Sequence, residues 1–257
     1  MQIKRPIIRW HGGKWRLAPW IISNFKEHRI YTEAFGGGAS VLLRKPRSYS
    51  EIYNDLDGEI VNVFNIVRDR GGELKRYLEL TPFSRVTFKS AYNTSEDTLI
   101  KAAQTIIKSY MGFGSDSIRH VSGFRANSNR SGTTPAHDWV NYPLQILNFI
   151  ERLRGVIIES RPAIDILNQH DSLNTLHYVD PPYVHSTRQS SKRYAFEMTD
   201  EQHVELSKTL KRLKGNVIIS AYPSKLYNDL YSDWRKIKKV ALADGAKKRI
   251  ELLFLNF

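Results

Sequence analysis

Residues 28–45, "HRIYTEAFGGGASVLLRK", carry the clearest indication of the fold class. Its first eight residues are typical of a strand, "GGGAS" is a tight turn, and "SVLLRK" has the apolar spacing that begins a helix. A second strand, "SYSEIYNDLD", and a helix, "GEIVNVFNIVRDRGGELKRYLEL", follow, with a break in that helix expected at Gly71-Gly72. The order strand, glycine turn, helix, strand predicts an α/β fold with a parallel sheet.

The rest of the chain continues this alternation on either side of an interruption. Later strands are predicted at "LRGVIIE", "TLHYV", "NVIISAY" and "RIELLFLNF", with a helix at "TDEQHVELSKTLKRLKG". Residues 81–108 look helical, whereas residues 110–142 turn to Gly, Ser, Asn, Arg and His, and a polar segment of that length is usually functional or disordered. We therefore expect one α/β sheet domain from residues 1–70 and 150–257, interrupted by an inserted, mainly helical segment at residues 71–149.

Composition narrows the class of function. The 257 residues carry 39 Lys and Arg against 26 Asp and Glu, a formal net charge of +13. Such a balance favours a polyanionic partner, most commonly nucleic acid, although it also serves solubility alone. The chain has no cysteine, which excludes disulfides, thiolate metal sites and cysteine nucleophiles. The eight histidines show no metal-ligand spacing, and no apolar run reaches the roughly 20 residues of a membrane span. We expect a cytoplasmic protein without a metal.

The glycine turn points to a nucleoside ligand. Gly36 and Gly38 can adopt positive φ and let a ligand approach the backbone, and the helix expected after them favours negative charge at its N-terminus. Asp55 ends the next strand about 20 residues further on, where an acidic side chain can accept both hydroxyls of a ribose. The spacing is not the dinucleotide fingerprint. A plain tight turn, with Asp55 as a helix cap, explains the same residues about equally well.

A second segment fixes polar groups beyond the end of a strand. In "HYVDPPYVHS", His177 to Ser186, an apolar run stops at Asp180-Pro181-Pro182-Tyr183. Neither proline donates a backbone hydrogen bond, and each restricts the preceding residue to extended geometry. A carboxylate and an aromatic ring are therefore held at the carboxyl edge of the predicted sheet, where open α/β folds bind ligands. Near the amino terminus, "RWHGGK" places Trp10 and Lys14 around two glycines, each an ordinary core or surface residue when taken alone.

Taken in order, "RWHGGK", "EAFGGGAS", "YNDLD" and "VDPPY" resemble the Dam-type (D12 class) S-adenosylmethionine-dependent DNA adenine-N6 methyltransferases, over nearly the whole chain. The resemblance implies a Rossmann-like methyltransferase sheet with an inserted DNA target-recognition domain, S-adenosyl-L-methionine as cofactor with S-adenosyl-L-homocysteine as product, and double-stranded DNA as substrate. The cofactor-binding residues that it implies are Trp10, Lys14, Phe35, Gly36, Gly38, Asp55 and Asp180.

One position departs from the family pattern. Members commonly carry an acidic residue close to the cofactor adenine, and this chain aligns Pro162 there. Asp165, three residues later, is expected to be only a helix residue. The contact to the cofactor adenine is therefore left open, whereas the reaction class is not affected.

The resemblance also implies a chemical role for residues 180–183. An exocyclic amino nitrogen is a poor nucleophile because its lone pair is delocalised into the ring. The Asp180 carboxylate and the Pro181 carbonyl can accept its two N–H hydrogens, while Pro181 and Pro182 stiffen the backbone that presents them. Tyr183 offers a flat surface to an adenine flipped out of the duplex. Methyl transfer is then a direct displacement, assisted by proximity and orientation.

The inserted segment is the expected reader of the DNA sequence. Its arginines can contact guanine or phosphate, and its aromatic residues Tyr110, Phe113 and Phe124 can wedge or stack against bases. A second basic segment follows Tyr183, in the region that covers the flipped nucleotide in the family. A solvated loop explains each arginine taken singly. The predicted DNA-binding residues are Arg119, Arg125, Arg130, Arg188, Lys192 and Arg193.

Other functions stay open at this point. One is methylation of an amino group in RNA or of a protein glutamine, although glutamine methyltransferases usually carry Asn where this chain has Asp180. Another is a catalytically inactive DNA-binding relative, which the intact Lys14, Asp55 and Asp180 disfavour. A nicotinamide dehydrogenase shares the fold class but not the glycine spacing. We expect a monomer, and the recognition sequence and any restriction-modification partner are left open.

Overall fold

The computed structural model of the protein describes residues 3–114, 116–128, 132–184, 196–242 and 248–257. The chain divides into two compact units. A helical unit draws on the described residues of Met1–Trp15, Gly37–Leu43 and Gly58–Arg154. A sheet unit draws on those of Arg16–Gly36, Arg44–Asp57 and Gly155–Phe257. Whether residues 71–149 form a separate functional insert stays a prediction.

Strands and helices alternate along the sheet unit, whereas the helical unit is built from helices. The strands are β1 (Ile30–Glu33), β2 (Ser50–Asn54), β3 (Val156–Glu159), β4 (Thr175–Val179), β5 (Asn216–Ala221), β6 (Arg235–Leu242) and β7 (Lys248–Leu255). The helices are α1 (Ala18–Ile22), α2 (Gly58–Asp69), α3 (Gly71–Glu79), α4 (Arg85–Ser90), α5 (Thr98–Met111), α6 (Pro135–Val140), α7 (Ile146–Leu153), α8 (Ala163–Gln169), α9 (Asp200–Leu210) and α10 (Lys225–Leu230), with a 3₁₀ turn at Pro143–Gln145.

The described strands form one sheet in the order β3-β2-β1-β4-β5-β7-β6. β1 to β5 are parallel, and β7 runs antiparallel to both β5 and β6. A parallel strand covered on both faces needs an apolar sequence, and all five residues of β4 are buried. These features confirm the predicted α/β class with a parallel sheet.

The strand order reverses between β1 and β4. From β1 the chain proceeds outward to β2 and β3, and from β4 it proceeds the other way to β5. Crevices beyond the carboxyl ends of strands at such a reversal are the usual ligand sites of open α/β sheets. The residues that follow Glu33 and those that follow Val179 flank this position. The strands that precede the glycine turn and Asp180 therefore end at the same edge of the sheet.

Helices α9 and α10 cover one face of the sheet unit. The side chains of Leu206, Tyr227 and Tyr231 pack in the same buried cluster as Ile219 of β5 and Phe254 of β7. α9 begins with a capping box, since the Thr199 side chain accepts from the Gln202 N–H and the Gln202 side chain accepts from the Thr199 N–H. Such a cap stabilises a helix by about 1 kcal/mol, which explains why this helix begins where the sequence predicts it.

The helical unit follows the predicted pattern through α2, α3 and α5. α2 ends at Asp69 and α3 begins at Gly71, so the expected break lies next to the glycine pair. A Cβ on Gly71 would lie 2.5 Å from the Ile150 side chain, which shows how tightly α3 packs against α7. The Asp97 side chain accepts from the Leu99 N–H at 2.7 Å and so caps the N-terminus of α5.

The helix predicted at "SVLLRK" is wrong. Residues 40–44 form consecutive turns, with the Leu43 N–H donating to the Ala39 carbonyl at 3.0 Å. Gly37 (φ +47°) and Ala39 (φ +50°) both lie in the left-handed region, which is incompatible with a right-handed helix beginning there. The anion preference expected of a helix N-terminus therefore has no basis at this turn.

Two elements of the sheet unit lack a corresponding prediction. α10 is a short helix that the Ser224 side chain caps by accepting from the Tyr227 N–H. β6 begins "RKIKK", and its lysines and arginine are exposed along the edge of the sheet. Charged residues are typical of exposed edge strands because they oppose pairing with other chains. Because of these charges the segment lacks the apolar alternation by which a strand is predicted.

His177 supplies a pH-dependent contribution to stability. It lies fully buried on β4, with Nδ1 2.8 Å from Thr32 Oγ1 and Nε2 3.3 Å from Asp171 Oδ1. Burial lowers the pKa of His177 to about 4, although the Asp171 carboxylate opposes this shift. Between that value and the ordinary pKa near 6.5, the unfolded chain binds a proton that the folded chain does not bind, so stability falls as the pH falls.

We therefore expect the free energy of unfolding to drop by about 2 kcal/mol from His177 between pH 7.5 and pH 5. Urea unfolding at a series of pH values measures this drop, and His177→Gln, which does not titrate, should lose it. Most carboxylates titrate below this window, so they contribute little to the difference. Parallel pH curves for the two proteins would assign the acid sensitivity to other groups.

Candidate active site

Asp180 is held immediately after β4 by the neighbouring strand. Val179 is fully buried, Asp180 is half-buried, and the Ser220 hydroxyl of β5 donates to Asp180 Oδ1 at 2.7 Å. The Tyr178 hydroxyl lies 3.0 Å from the same Ser220 Oγ. The carboxylate predicted to be catalytic is therefore oriented by hydroxyls that sequence reasoning did not single out.

Tyr183 is packed into the sheet unit. Its side chain is 6% exposed, and its hydroxyl donates to the Glu251 carboxylate of β7. Burial raises the pKa of Tyr183 well above its ordinary value, and the Glu251 carboxylate raises it further. The Tyr222 ring lies 4.3 Å from the Tyr183 ring between centroids, and the Arg249 guanidinium lies 5.3 Å from the Tyr222 ring. The phenol therefore stays protonated and fixed, with an aromatic and cationic side chain next to it.

Gly36 is required by packing on β2. Its N–H donates to the Asn54 carbonyl at 2.8 Å, and a Cβ there would lie 2.2 Å from the Tyr53 ring. Tyr53 is fully buried. Close packing of the turn on the sheet thus explains this glycine by itself, while Phe35 beside it is partly buried against the core cluster.

Asn54 ties three segments together at the same edge. Its side chain is fully buried, and Nδ2 donates to the Ala34 carbonyl at 2.9 Å and to the Arg161 carbonyl at 3.0 Å. Its Oδ1 accepts from the Arg161 N–H at 2.9 Å. One side chain therefore fixes the ends of β1 and β2 to the loop that precedes α8. The only signal in the sequence is an Asn at the end of an apolar strand.

Asp55 follows β2 and is half-buried. Its Oδ1 accepts from the Asp57 N–H at 2.8 Å, which makes it the first residue of an Asx turn before α2 rather than the helix cap itself. Pro162 stands at the N-cap position of α8, and Asp165 lies in the first turn of that helix, as expected of a helix residue. The Asp165 carboxylate lies 4.0 Å from the Arg161 guanidinium.

In the helical unit, the amino-terminal cluster is assembled around Trp10. A Cβ on Gly37 would lie 2.4 Å from Trp10 Nε1, and one on Gly38 would lie 3.1 Å from Trp10 Cβ. The Gly13 N–H donates to the Trp10 carbonyl at 3.1 Å. Lys14 is only 5% exposed, and its ammonium donates to the Gly12 carbonyl at 2.9 Å. Lys14 is therefore not a solvated surface lysine.

Two of the predicted DNA-binding arginines have intramolecular contacts in the helical unit. Arg119 Nη1 lies 3.3 Å from Glu59 Oε2. Arg125 Nη1 donates to the Tyr110 carbonyl at 3.0 Å, and the Arg125 N–H donates to the Met111 carbonyl at 2.8 Å. The Arg125 segment is therefore anchored to the end of α5. Arg130, Arg188, Lys192 and Arg193 lie outside the described residues.

The prediction that Tyr110 wedges or stacks against DNA is wrong. Tyr110 is 5% exposed, and its hydroxyl donates to the Pro6 carbonyl at 2.6 Å. Phe124 packs between rings of the same unit, with centroid distances of 5.0 Å to Phe83 and 5.9 Å to Phe88. Phe113 is 74% exposed. The helical periodicity of α5 continues to Met111, so Tyr110 belongs to a buried helix face and not to the polar loop.

The part of the chain that the structure describes lacks two further kinds of feature. No group of three or more His, Asp or Glu side chains is arranged to hold a metal ion there. No helix in those ranges has the length and apolar character needed to cross a membrane.

The chain is similar along most of its length to known DNA adenine methylases. The DNA adenine methylases of Escherichia coli (strain K12) and of Salmonella typhi are each 22% identical over 275 aligned positions, which cover 99% of this chain and 96% of each relative. A solved structure titled as a putative rRNA-methylase from Clostridium thermocellum aligns over 93% of this chain and 94% of its own, with 11% identity and a TM-score of 0.40. The family model of the D12 class N6 adenine-specific DNA methyltransferases matches residues 10–243. The chain therefore belongs to the D12 class of N6 adenine-specific DNA methyltransferases.

Proposed function

We propose that this enzyme transfers the methyl group of S-adenosyl-L-methionine directly to N6 of an adenine that has been flipped out of double-stranded DNA. The observation that carries the proposal is the Asp180 carboxylate, fixed by Ser220 directly after β4 at the point where the strand order reverses. A carboxylate that is already oriented loses little freedom when it accepts a hydrogen bond from the adenine amino group.

Asp180 and Pro181 act on the amino group through their acceptor atoms. The carboxylate and the Pro181 carbonyl each accept a hydrogen bond from one N–H of the amino group, which turns the nitrogen lone pair away from conjugation with the ring and toward the methyl donor. The nitrogen forms a bond to the methyl carbon, and the carbon–sulfur bond breaks with its electron pair left on sulfur. The surplus proton on nitrogen then leaves to Asp180 and on to water. No covalent bond to the enzyme is formed.

Tyr183 serves as a surface for the adenine. Its hydroxyl is held by Glu251, and Tyr222 packs against its ring. A ring that is already fixed can take a base against it without losing further side-chain entropy.

The chemistry of the side chains at the sheet edge fits the cofactor, which supplies an electrophilic methyl group when bound. The half-buried Asp55 carboxylate suits a pair of ribose hydroxyls, and the partly buried Phe35 ring suits an apolar chain. Gly36 keeps the turn close to β2. The roles of Trp10, Lys14 and Gly38 toward the cofactor rest on the family resemblance and stay predictions.

Incubation of the purified protein with DNA and labelled S-adenosylmethionine, followed by nucleoside mass spectrometry, tests the reaction. The expected product is N6-methyladenine in duplex DNA, and sequencing of modified bases then gives the recognition site. Methylation confined to RNA or to cytosine would contradict the proposal. A fluorescent adenine analogue at the target position tests base flipping, because its emission rises when it leaves the stack.

We propose that residues 71–149 read the DNA sequence. Arg119 and Arg125 lie in this region, and the exposed Phe113 is available for contact with bases. Phosphate contacts lower the affinity for all DNA alike, whereas base contacts relax one position of the recognition site. A monomer that acts in the cytoplasm stays our expectation.

Arg125→Ala should reduce methylation of cognate DNA about tenfold and leave cofactor binding unaltered, because one guanidinium contact to a base contributes about 1–3 kcal/mol. Steady-state methylation of cognate and singly altered sites measures the effect. Arg125→Lys keeps the charge but not the paired donors, and Lys208→Ala on the exposed surface of α9, outside residues 71–149, is the control. If Arg125→Ala lost cofactor binding but kept its DNA affinity and site preference, the proposal that this segment contacts DNA would be wrong.

A further inference from the structure

Two buried hydroxyls form a chain of hydrogen bonds that ends on the catalytic carboxylate. Tyr178 is 1% exposed and Ser220 is fully buried. The Tyr178 hydroxyl lies 3.0 Å from Ser220 Oγ, and Ser220 Oγ lies 2.7 Å from Asp180 Oδ1. The register that pairs Val179 with Ile219 brings Ser220 beside Asp180, so the contact follows from the strand pairing itself.

The direction of the chain follows from the number of available hydrogens. A carboxylate oxygen accepts only, so Ser220 must donate its single hydroxyl hydrogen to Asp180. Ser220 Oγ must then accept from Tyr178. Burial raises the pKa of Tyr178 well above its ordinary value, and the Asp180 carboxylate raises it further, so the phenol keeps the hydrogen that it donates.

We infer that Ser220 is a positioning residue for methyl transfer, which holds the Asp180 carboxylate in the rotamer that faces the adenine amino group. This inference rests on the proposed function. Hydrogen bonds to a charged acceptor are roughly twice as strong as those between neutral groups. Water does not replace the Ser220 hydroxyl readily, because both hydroxyls are buried, and a carboxylate without this donor gains freedom to rotate before each turnover.

The two roles of the Ser220 hydroxyl can be separated experimentally. Ser220→Ala removes the donor to Asp180 and also leaves the Tyr178 hydroxyl buried without an acceptor. The first loss lowers kcat if the inference is correct, whereas the second lowers stability. In the double variant Tyr178→Phe/Ser220→Ala the stranded hydroxyl is gone as well, so stability returns although the donor to Asp180 is still absent.

We expect Ser220→Ala to lower kcat about tenfold with KM for DNA and the cofactor Kd within about twofold of wild type. Its Tm should fall by several degrees, and the double variant should regain most of that loss while kcat stays low. Tyr178→Phe alone keeps the Ser220 donor and should change kcat only slightly.

Thr175→Val is the matched control on the same strand. Thr175 is a fully buried hydroxyl that donates to the His170 carbonyl at 2.8 Å, at the opposite end of β4 from Asp180. It should lower Tm and leave kcat unchanged. If kcat recovers with Tm in the double variant, or if Ser220→Ala turns over like wild type, Ser220 is only structural.

A crystal structure of Ser220→Ala tests the inference independently of turnover. We expect the Asp180 carboxylate to rotate or become disordered. An unmoved carboxylate overturns the inference. A wild-type protein that transfers no methyl group to DNA counts against the proposed function instead, so the two failures are distinguishable.

Discussion

Asp180→Ala should reduce methyl transfer by about 10³-fold or more, with little change in the fold. Removing one preorganised group that stabilises a transition state typically costs about 10²–10³ in kcat, and in the proposed mechanism the Asp180 carboxylate both orients the nitrogen and raises its electron density. Asp180 is half-buried and lies after β4 rather than within it, so its side chain contributes little to packing. Single-turnover methylation with saturating cofactor measures the chemical step directly.

Asp180→Asn is the informative companion variant. Its amide oxygen can accept a hydrogen bond, but its NH₂ group cannot. The Asn oxygen can therefore face either the adenine amino group or the Ser220 hydroxyl, but not both. We expect activity between those of wild type and Asp180→Ala, with nonspecific DNA binding preserved in both variants. Turnover of Asp180→Ala within a few-fold of wild type would remove Asp180 from the mechanism.

The sequence predicts the sheet well because its strands are marked by local pattern. β4 and β5 are apolar runs with clear ends, and α9 begins at a threonine cap that can be read directly from "TDEQ". β6 is not predicted because its sequence is rich in lysine, which an exposed edge strand tolerates. It forms a strand only because it pairs with β7. Pairing with a distant segment leaves no local signal.

The glycine turn shows how tertiary packing overrides a local pattern. "SVLLRK" has helical spacing, yet the left-handed backbone at Gly37 and Ala39 leads into turns instead. The sequence allows either ligand approach or a plain tight turn at Gly36 and Gly38, whereas the structure places Gly36 against the Tyr53 ring and Gly37 against Trp10, where a Cβ does not fit. These contacts join residues that are separated in the chain, so no window of sequence predicts them.

Some residues of the candidate site can be predicted from the sequence and others cannot. Asp180 and Asp55 stand out because carboxylates at strand ends are recognisable in sequence. Ser220, Asn54 and Glu251 do not stand out, because a serine, an asparagine or a glutamate within a strand acquires its role only when strand register places it beside a partner. Residues that support the site can therefore be identified from the structure but not from the sequence motifs.

Asp55 provides the second large expected effect, on cofactor affinity. Its carboxylate has a structural task as well, since Oδ1 accepts from the Asp57 N–H and forms the Asx turn before α2. Asp55→Asn keeps this turn, because the amide oxygen of Asn accepts the same bond. It removes the negative charge and one acceptor, which a pair of ribose hydroxyls needs. Asp55→Ala removes both the turn and the proposed ribose contact.

We expect both variants to bind S-adenosylmethionine about 10- to 100-fold more weakly, because a hydrogen bond to a charged group contributes about 1.5–3 kcal/mol. Only Asp55→Ala should also lose thermal stability. Titration calorimetry with S-adenosylhomocysteine gives the affinity without turnover, and thermal unfolding gives the stability. Wild-type affinity in Asp55→Asn, combined with a lower Tm in Asp55→Ala, would show that Asp55 serves the turn alone and that another group binds the ribose.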